Sequence, residues 1–189
     1  WYLRYGPDNR AAALVSDTAM WTVAVAGTPW ENWFEFVWDP KFGLYDGQIS
    51  VAAQKEFAYF AVTDDTPWEN GFKSISHLTA SPSGRSTAAV VQTKPISEAD
   101  IAAFQESCFT VARNGVPWDQ NFLNVWEMAF DASEEHVAAE VRVNLNDYTI
   151  VVDGIPWKRH YASVWEPAFN PRDGSVTAPV RMADGWTLA

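Results

Sequence analysis

Short apolar runs separated by polar turns form the main pattern along this chain. An aromatic residue opens some of these runs and β-branched residues follow it, whereas small apolar residues make up others. The clearest examples are Trp21-Thr22-Val23, Phe109-Thr110-Val111, Tyr148-Thr149-Ile150, Val51-Ala52-Ala53 and Val137-Ala138-Ala139. Such runs, bounded by turn residues, are typical of β-strands, and no sustained helical period appears inside them. The pattern predicts an all-β fold.

A Pro-Trp dipeptide divides the chain into repeats. It occurs at Pro29-Trp30, Pro67-Trp68, Pro117-Trp118 and Pro156-Trp157, with spacings of 38, 50 and 39 residues between the tryptophans. An aromatic residue follows each tryptophan after four positions, at Phe34, Phe72, Phe122 and Tyr161. A second motif then appears as Val37-Trp38-Asp39, Val125-Trp126-Glu127 and Val164-Trp165-Glu166, and the second copy departs from it with Ile75-Ser76-His77. The sequence therefore has a repeat of about 39 residues with one insertion.

Turn and edge signals complete the repeat. Asp153-Gly154 and Gly27 fit two-residue hairpins, which need a positive φ. The proline before each repeat tryptophan cannot donate a ladder hydrogen bond, so the strand after the hairpin should lie at a sheet edge or begin at the tryptophan. A repeat of about 40 residues with four short strands predicts a β-propeller of four-stranded blades, because one small sheet buries its faces only by stacking on its neighbours.

The two ends of the sequence match complementary parts of one repeat. Full repeats run over residues 18–56, 57–107, 108–146 and 147–184, while residues 1–17 and 185–189 supply the remaining parts. We therefore expect a single propeller domain over residues 1–189, with five blades and one blade shared between the termini. The alternative is a section of a larger ring. Because the chain begins at Trp1 without an initiator methionine, we expect a trimmed or processed piece.

The insertion over residues 95–107 has helical character. Ser97 is a suitable N-cap, Glu98 and Asp100 follow in the first turn, and Ile101 and Phe104 are apolar. These signals predict a short helix on an inter-strand loop.

An excess of acidic residues limits the classes of molecule that this chain is expected to bind. The chain has 13 Lys and Arg against 24 Asp and Glu, a formal net charge of −11. Such a surface repels nucleic acid and anionic membranes, and no apolar stretch is long enough for direct membrane insertion. The single cysteine, Cys108, excludes an intramolecular disulfide and cysteine-based metal or iron–sulfur cages. Protein subunits are the expected partners.

Candidate catalytic chemistry is sparse. His77, His136 and His160 fall at different repeat positions, and no short motif for a metal, nucleotide or haem cofactor is present. Acids follow the Pro-Trp step at Glu31, Glu69 and Asp119, and follow the second tryptophan at Asp39, Glu127 and Glu166. Because these acids recur with the repeat, a structural role explains them better than a unique glycosidase pair. We expect no enzyme activity and no cofactor; a glycosidase is the less favoured alternative.

The tryptophans allow two interpretations. As structural anchors, they pack against nearby aromatics and between adjacent blades, and recurrence favours this role for Trp30, Trp68, Trp118, Trp157, Trp38, Trp126 and Trp165. As exposed platforms, they would bind a sugar or a protein. Irregular aromatics are better candidates for partner binding, and these are Trp33 and Phe104. Buried repeat tryptophans would favour a non-catalytic scaffold, whereas exposed equivalent ones beside polar pockets would favour a lectin-like, carbohydrate-binding propeller. Close acids with perturbed pKa values would favour an enzyme.

The combination of Gly-x-Pro-Trp, an aromatic four residues later, and Val-Trp-Asp/Glu-Pro-x-Phe before Val-Ala-Ala resembles the tryptophan-rich TmcD subunits of transmembrane electron-transfer complexes in sulfate-reducing bacteria. Turn segments such as Asn170-Pro171-Arg172-Asp173-Gly174 are also similar to TolB-type and WD40-like propeller repeats. The first resemblance implies an accessory subunit of an anaerobic respiratory complex, located in the cytoplasm and without a redox centre of its own. It implies no particular site residue.

Overall fold

Short antiparallel strands make up the fold of this chain, whose computed structural model describes residues 1–96 and 105–189. Sheet 1, in spatial order, contains β1 (Arg4–Tyr5), β2 (Ala11–Asp17), β3 (Met20–Val25) and β4 (Thr28–Pro29). Sheet 2 contains β5 (Phe36–Phe42), β6 (Ile49–Lys55), β7 (Ala58–Thr63) and β8 (Thr66–Pro67). Sheet 3 contains β9 (Ile75–Ala80), β10 (Thr87–Gln92), β11 (Phe109–Arg113) and β12 (Val116–Pro117).

Three further sheets follow along the chain. Sheet 4 contains β13 (Asn124–Phe130), β14 (Val137–Asn144), β15 (Asp147–Val152) and β16 (Ile155–Pro156). Sheet 5 contains β17 (Ser163–Val164), β20 (Pro179–Met182) and β21 (Gly185–Leu188). A separate two-stranded sheet pairs β18 (Ala168–Phe169) with β19 (Val176–Thr177). The prediction of an all-β fold of the β-propeller class is confirmed: four of the sheets in the described residues are four-stranded antiparallel blades.

A tight hairpin leads into the last strand of each of sheets 1 to 4, which lies at one edge of the sheet. The edge strand of each is two residues long and ends with the repeat proline. Both residues of the preceding turn have positive φ, at Ala26-Gly27, Asp64-Asp65, Asn114-Gly115 and Asp153-Gly154. This backbone matches the right-handed twist of the flanking strands. The predicted hairpins at Gly27 and Asp153-Gly154, and the predicted edge position of the prolines, are confirmed.

A buried threonine on the third strand holds the loop that follows the edge strand in sheets 1, 3 and 4. The hydroxyl donates to a loop carbonyl in three equivalent bonds, Thr22 to Asn32 at 2.7 Å, Thr110 to Gln120 at 2.7 Å and Thr149 to Arg159 at 3.1 Å. All three threonines are fully buried. The residue before each threonine bridges to the aromatic that follows the repeat tryptophan. The recurrent aromatic-Thr pair therefore holds the loop after the edge strand against its own sheet.

We expect Thr22→Val to lower the free energy of unfolding by about 1 kcal/mol, because the shape is kept while one hydrogen bond is lost. The measurement is urea unfolding followed by circular dichroism. Thr28→Val is the matched control: Thr28 is exposed on β4 of the same sheet, so its replacement should change stability by less than about 0.5 kcal/mol. Equal effects of the two substitutions would contradict the role of the Thr22 hydroxyl.

Residue contacts divide the chain into two compact units. The first comprises residues 1–89 with 113–116, and the second comprises residues 90–112 with 117–189. The first has an apolar core supplied by sheets 1 and 2, around Leu14, Val23, Phe34 and Val51. The second has a core supplied by sheets 4 and 5, around Ile150, Tyr161, Val164 and Val180. The single-domain organisation over residues 1–189 stays a prediction.

The expectation of a blade shared between residues 1–17 and 185–189 is wrong. All four strands of sheet 1 come from residues 4–29, and β21 pairs with β20 in sheet 5. The physical reason is the local hairpin: β2 continues into β3 through a two-residue turn with positive φ at Thr18 and Ala19. Closing such a short loop costs far less entropy than pairing strands from opposite ends of the chain.

The sequence repeats and the sheets begin and end at different points along the chain. Each of sheets 2 to 4 begins in the second part of one repeat and ends at the Pro-Trp step of the next, so the motif Val-Trp-Asp/Glu lies on the first strand of its sheet. The insertion over residues 95–107 and its predicted helix fall largely on residues 97–104, which lie outside the described residues. Within residues 1–96 and 105–189, no helix has the length and apolar character that a membrane span requires.

Candidate functional site

Tryptophans of the Pro-Trp steps lie half-buried at the sheet edges. The backbone N–H of Trp30, Trp68, Trp118 and Trp157 donates to a carbonyl of the third strand at 2.8 to 2.9 Å, which continues the edge strand past the proline. The Trp68 ring packs edge-on against Phe72, with centroids 6.2 Å apart. Its Nε1–H donates to the buried Thr87 hydroxyl at 3.0 Å. Trp68 thus joins sheet 2 to sheet 3.

The second series of tryptophans contacts aromatics of the same sheet. Trp38 meets Tyr59 edge-on at 6.1 Å, Trp126 stacks on Tyr148 at 6.1 Å with 24° between the planes, and Trp165 meets Trp186 edge-on at 5.7 Å. These three pairs occupy equivalent positions: Trp38 and Trp126 lie on the first strand of their sheets, Trp165 directly follows the first strand, and each partner lies on the third strand. Their exposure differs: Trp38 and Trp126 are half-buried, whereas Trp165 is 62% exposed. Equivalent positions of the repeat therefore have different access to solvent.

A cavity of about 400 Å³ opens beside two of these tryptophans. Its lining consists of Trp126, Glu127 and Glu140 from sheet 4, and Trp165 and Glu166 from sheet 5. All five residues belong to the second compact unit. The cavity combines two indole walls with three carboxyl groups, and its volume lies within the range typical of small-ligand pockets, about 300 to 1,000 Å³.

A β-bulge places Glu140 at this cavity. Val125 pairs with Val141, and Met128 pairs with Ala139, so Trp126 and Glu127 together lie opposite Glu140. The extra residue in β13 bends that strand and re-aims its side chains. The Trp165 side of the cavity is fixed differently, by a backbone hydrogen bond of 2.9 Å from its N–H to the carbonyl of Pro179.

Glu140 is the functional candidate that the repeat analysis missed. It lies in a strand whose other central residues, Val137, Ala138, Ala139 and Val141, are completely buried. The residue opposite the motif tryptophan is Ala52 in sheet 2, so the repeat itself does not call for an acid there. The usable signal was a charged residue within the apolar run Val137-Ala138-Ala139-Glu140-Val141.

The environment of Glu140 perturbs its ionisation. Burial first, and the neighbouring Glu127 carboxylate second, raise the pKa of Glu140 from its ordinary value of 4.5 to about 7. Burial penalises the charged form, and a nearby like charge adds to that penalty. Glu140 therefore changes its charge near neutral pH, whereas an ordinary exposed glutamate is fully ionised there.

The arginine on the same strand as Glu140 already interacts with its own neighbours. Arg142, two residues beyond Glu140 on β14, places its guanidinium 5.7 Å from the centroid of Tyr148. Its Nε donates to the carbonyl of Leu145 at 3.1 Å. In the part of the chain that the structure describes, no ion pair involves Glu127, Glu140 or Glu166. Among the same residues, no three His, Cys, Asp or Glu side chains are grouped so that they could hold a metal ion.

The sequence predicts two partner-binding residues, Trp33 and Phe104. Trp33 is half-buried in the loop between β4 and β5, in the first compact unit. Phe104 lies outside the described residues. Trp33 is not among the residues that line the cavity, and the role of Trp33 and Phe104 in partner binding stays a prediction. Of the repeat tryptophans, only Trp126 and Trp165 line it.

In the described residues, the side-chain bonds between sheets near the Pro-Trp steps come from residues other than the recurrent acids. Asp65, in the hairpin turn of sheet 2, accepts from the backbone N–H groups of Glu31 at 2.8 Å and Asn32 at 3.1 Å. The Asn70 side chain donates to the carbonyl of Gly115 at 3.0 Å. Bonds between neighbouring sheets therefore use the asparagine after the acid and the acid of the turn.

The three histidines are exposed and lie in separate places. His136 Nδ1 lies 2.5 Å from Asp153 Oδ2, and this hydrogen bond is the main cause that raises the pKa of His136. Asp153 also accepts from the backbone N–H of Val137 at 3.0 Å. His160 Nδ1 lies 2.9 Å from Asp147 Oδ2. Both acids therefore hold a histidine at the surface.

No protein-family model matches the chain, and no curated protein matches it. Among solved structures, the chain is similar to TolB from Acinetobacter baumannii, with a TM-score of 0.48, 15% identity, and coverage of 100% of this chain and 50% of that chain. It is also similar to a eukaryotic initiation factor, with a TM-score of 0.51, 13% identity, and coverage of 95% and 47%. The chain spans about half the length of these two proteins. At this level of identity, the likeness to the initiation factor concerns the fold alone.

Proposed function

We propose that this chain is a non-catalytic protein-interaction propeller that contacts its partner through the cavity between Trp126 and Trp165. The observation that carries this proposal is the exposure of Trp165, 62%, at the mouth of a cavity lined by carboxyl groups. Large aromatic residues at accessible positions are the residues most enriched in interface hot spots. An indole that is only partly covered by its own chain has apolar surface left to bury against a partner.

The finer proposal is an accessory subunit of an anaerobic respiratory electron-transfer complex. It is supported by the resemblance of the Gly-x-Pro-Trp and Val-Trp-Asp/Glu motifs to TmcD subunits, and by that resemblance alone. We accordingly propose a cytoplasmic location, with haem- or iron–sulfur-containing subunits as the partners. In this arrangement the chain supplies binding surface, and its partners supply the redox centres.

The test is site-specific photo-cross-linking in the source organism. A photoreactive phenylalanine analogue replaces Trp165, and a second variant carries it at Phe57, an 86% exposed position in a turn of sheet 2. We expect position 165 to give a cross-link to a subunit identified as a haem or iron–sulfur protein, and position 57 to give none. Cross-links to proteins without redox centres would reject the respiratory complex. Absence of any cross-link specific to position 165 would reject the contact surface itself.

A carbohydrate-binding propeller is the second candidate. The observation that favours it is that two equivalent repeat tryptophans, Trp126 and Trp165, lie beside carboxyl groups in one cavity. Aromatic walls and carboxylate acceptors also suit a sugar ring. A glycan array with the whole chain separates the candidates: retention of a glycan that Trp165→Ala abolishes would favour the lectin, whereas the protein-interaction proposal predicts no retention.

We also propose that the cavity is not an active site, although a carboxyl with a raised pKa beside a second carboxylate is a pairing that glycosidases use. Glu127 and Glu166 belong to the repeat motif, and only Glu140 is particular to its sheet. The expected result is no hydrolysis of aryl glycosides above that of Glu140→Gln. Turnover that this substitution removes would establish the enzyme instead.

A further inference from the structure

We propose that the cavity between Trp126 and Trp165 binds the ammonium or guanidinium group of a basic side chain presented by a protein partner. The inference deepens the proposed protein-interaction function and rests on it, but it specifies the chemistry of the bound group. It follows from the walls, the charge and the volume of the cavity, each of which favours an organic cation.

The walls suit a cation because indole rings attract positive charge. A cation within about 6 Å of an indole centroid is attracted by the ring quadrupole, and the attraction grows as water is excluded. The chain already uses this interaction twice in the same compact unit: Arg142 lies 5.7 Å from the Tyr148 ring and Arg159 lies 5.4 Å from the Tyr161 ring. Stacking on Tyr148 fixes the plane of Trp126, so the ring is preorganised for a ligand.

The charge of the cavity is uncompensated. Three carboxyl groups line it, and neither an arginine nor a lysine does so. Burial and the neighbouring Glu127 carboxylate both disfavour the charged form of Glu140, and an incoming cation relieves both the repulsion and the burial penalty. A neutral sugar would relieve neither. The net charge of −11 also steers a basic partner toward this surface.

The geometry favours a side chain over a metal ion. In the described residues, the acids are not grouped as metal ligands, whereas a volume of about 400 Å³ accepts a guanidinium with its alkyl stem. The stem of a lysine or arginine can lie along an indole while the charged group reaches the carboxylates. The cavity therefore matches both parts of a basic side chain.

Glu140 makes this binding depend on pH. Two carboxyl groups share the cavity with Glu140: Glu127 on β13 and Glu166 after β17. Arg142 lies on the same strand as Glu140, and the residue that pairs with Glu140 on β15 is the neutral Ile150. Since the pKa of Glu140 is about 7, binding of a cation should release a proton. Affinity should rise roughly tenfold between about pH 6 and about pH 8.

The experiment uses the whole chain with tryptophan indole nitrogens labelled for NMR. The probe is N-acetyl-arginine methylamide, and the neutral control is the citrulline analogue of the same shape. We expect the arginine probe to shift the Nε1–H signals of Trp126 and Trp165, with the citrulline probe at least tenfold weaker. Trp165→Ala should weaken binding at least tenfold. Glu140→Gln should weaken it about tenfold at about pH 8 and remove its pH dependence.

Three outcomes would overturn the inference: equal binding of the arginine and citrulline probes, shifts confined to other tryptophans, or affinity that does not respond to salt. The signal of each indole is read separately, and a variant that failed to fold would change the whole spectrum. If Glu140→Gln failed in this way, Glu166→Gln would supply a second test of the carboxylate charge. If the cross-link from position 165 appears while the arginine probe does not bind, the proposed interaction stands and the cation site fails. If the probe binds and no partner is cross-linked, the reverse holds.

Discussion

Trp68→Ala is expected to lower the free energy of unfolding by about 3 kcal/mol. Truncation of a buried tryptophan to alanine costs about 3 to 5 kcal/mol, and the half-buried position of Trp68 puts the effect at the lower end. The loss has three sources: the edge-on contact with Phe72, the hydrogen bond to Thr87, and packing against the hairpin turn of sheet 3. A Cβ added at Gly115 would lie only 3.0 Å from the Trp68 Cβ, which shows how closely that turn approaches.

Two further variants separate these sources. Trp68→Phe keeps an aromatic ring but strands the buried Thr87 hydroxyl, so it should cost about 1 to 2 kcal/mol. Phe57→Ala removes a ring that is 86% exposed and should change stability by less than about 0.5 kcal/mol. Urea unfolding followed by circular dichroism gives all three values. If Trp68→Ala resembled Phe57→Ala, the tryptophans of the Pro-Trp steps would not anchor the sheets.

The repeat could be found from the sequence because each of its signals has a local cause. A positive-φ turn before the edge strand favours residues such as Asp153-Gly154. The proline occurs where no ladder hydrogen bond is needed. Thr22 recurs after an aromatic because its hydroxyl holds the loop carbonyl of Asn32. Such requirements apply to every copy, and the fold class could therefore be predicted without a relative.

The pairing of the terminal strands could not be found in the same way. Matching Gly185-Trp186 to Met20-Trp21 correctly identifies equivalent third strands, since β3 and β21 each follow a second strand in their sheets. Such equivalence does not decide in which sheet a terminal strand pairs. Because β2 and β21 each have a neighbour one tight turn away, local closure decides the pairing, and this competition is not visible in a comparison of motifs.

The candidate site could be predicted only in part, for a related reason. The sequence identifies Trp126 and Trp165 as repeat positions, but their recurrence predicts a structural role for them. The access of Trp126 to the cavity depends on the bulge that sets Trp126 and Glu127 against Glu140, and a single inserted residue leaves no clear mark in an apolar pattern. Glu140 departs from the repeat. Departures of this kind are where function adds to what folding requires.

The stability of the protein is expected to fall by about 2 kcal/mol between about pH 4.5 and about pH 8 on account of Glu140 alone. Its pKa is about 7 in the folded chain against an ordinary value of 4.5, so the folded state keeps a proton that the unfolded chain releases in this interval. Stability is therefore full below the lower pKa and is lost as pH rises through the higher one. The full difference corresponds to about 3.4 kcal/mol, and water reaching the half-exposed carboxyl reduces it.

Glu140→Gln should remove this loss, because the amide is neutral throughout. We expect the variant and the parent to be equally stable near pH 4.5, and the variant to be more stable by about 2 kcal/mol near pH 8. Glu127→Gln should remove only the smaller part, since burial is the first cause of the raised pKa of Glu140. Glu56→Gln, in an exposed turn, is the matched control and should follow the parent. Urea unfolding across the interval measures each difference. Parallel curves for Glu140→Gln and the parent would mean that the Glu140 carboxyl is ionised in the folded protein at neutral pH.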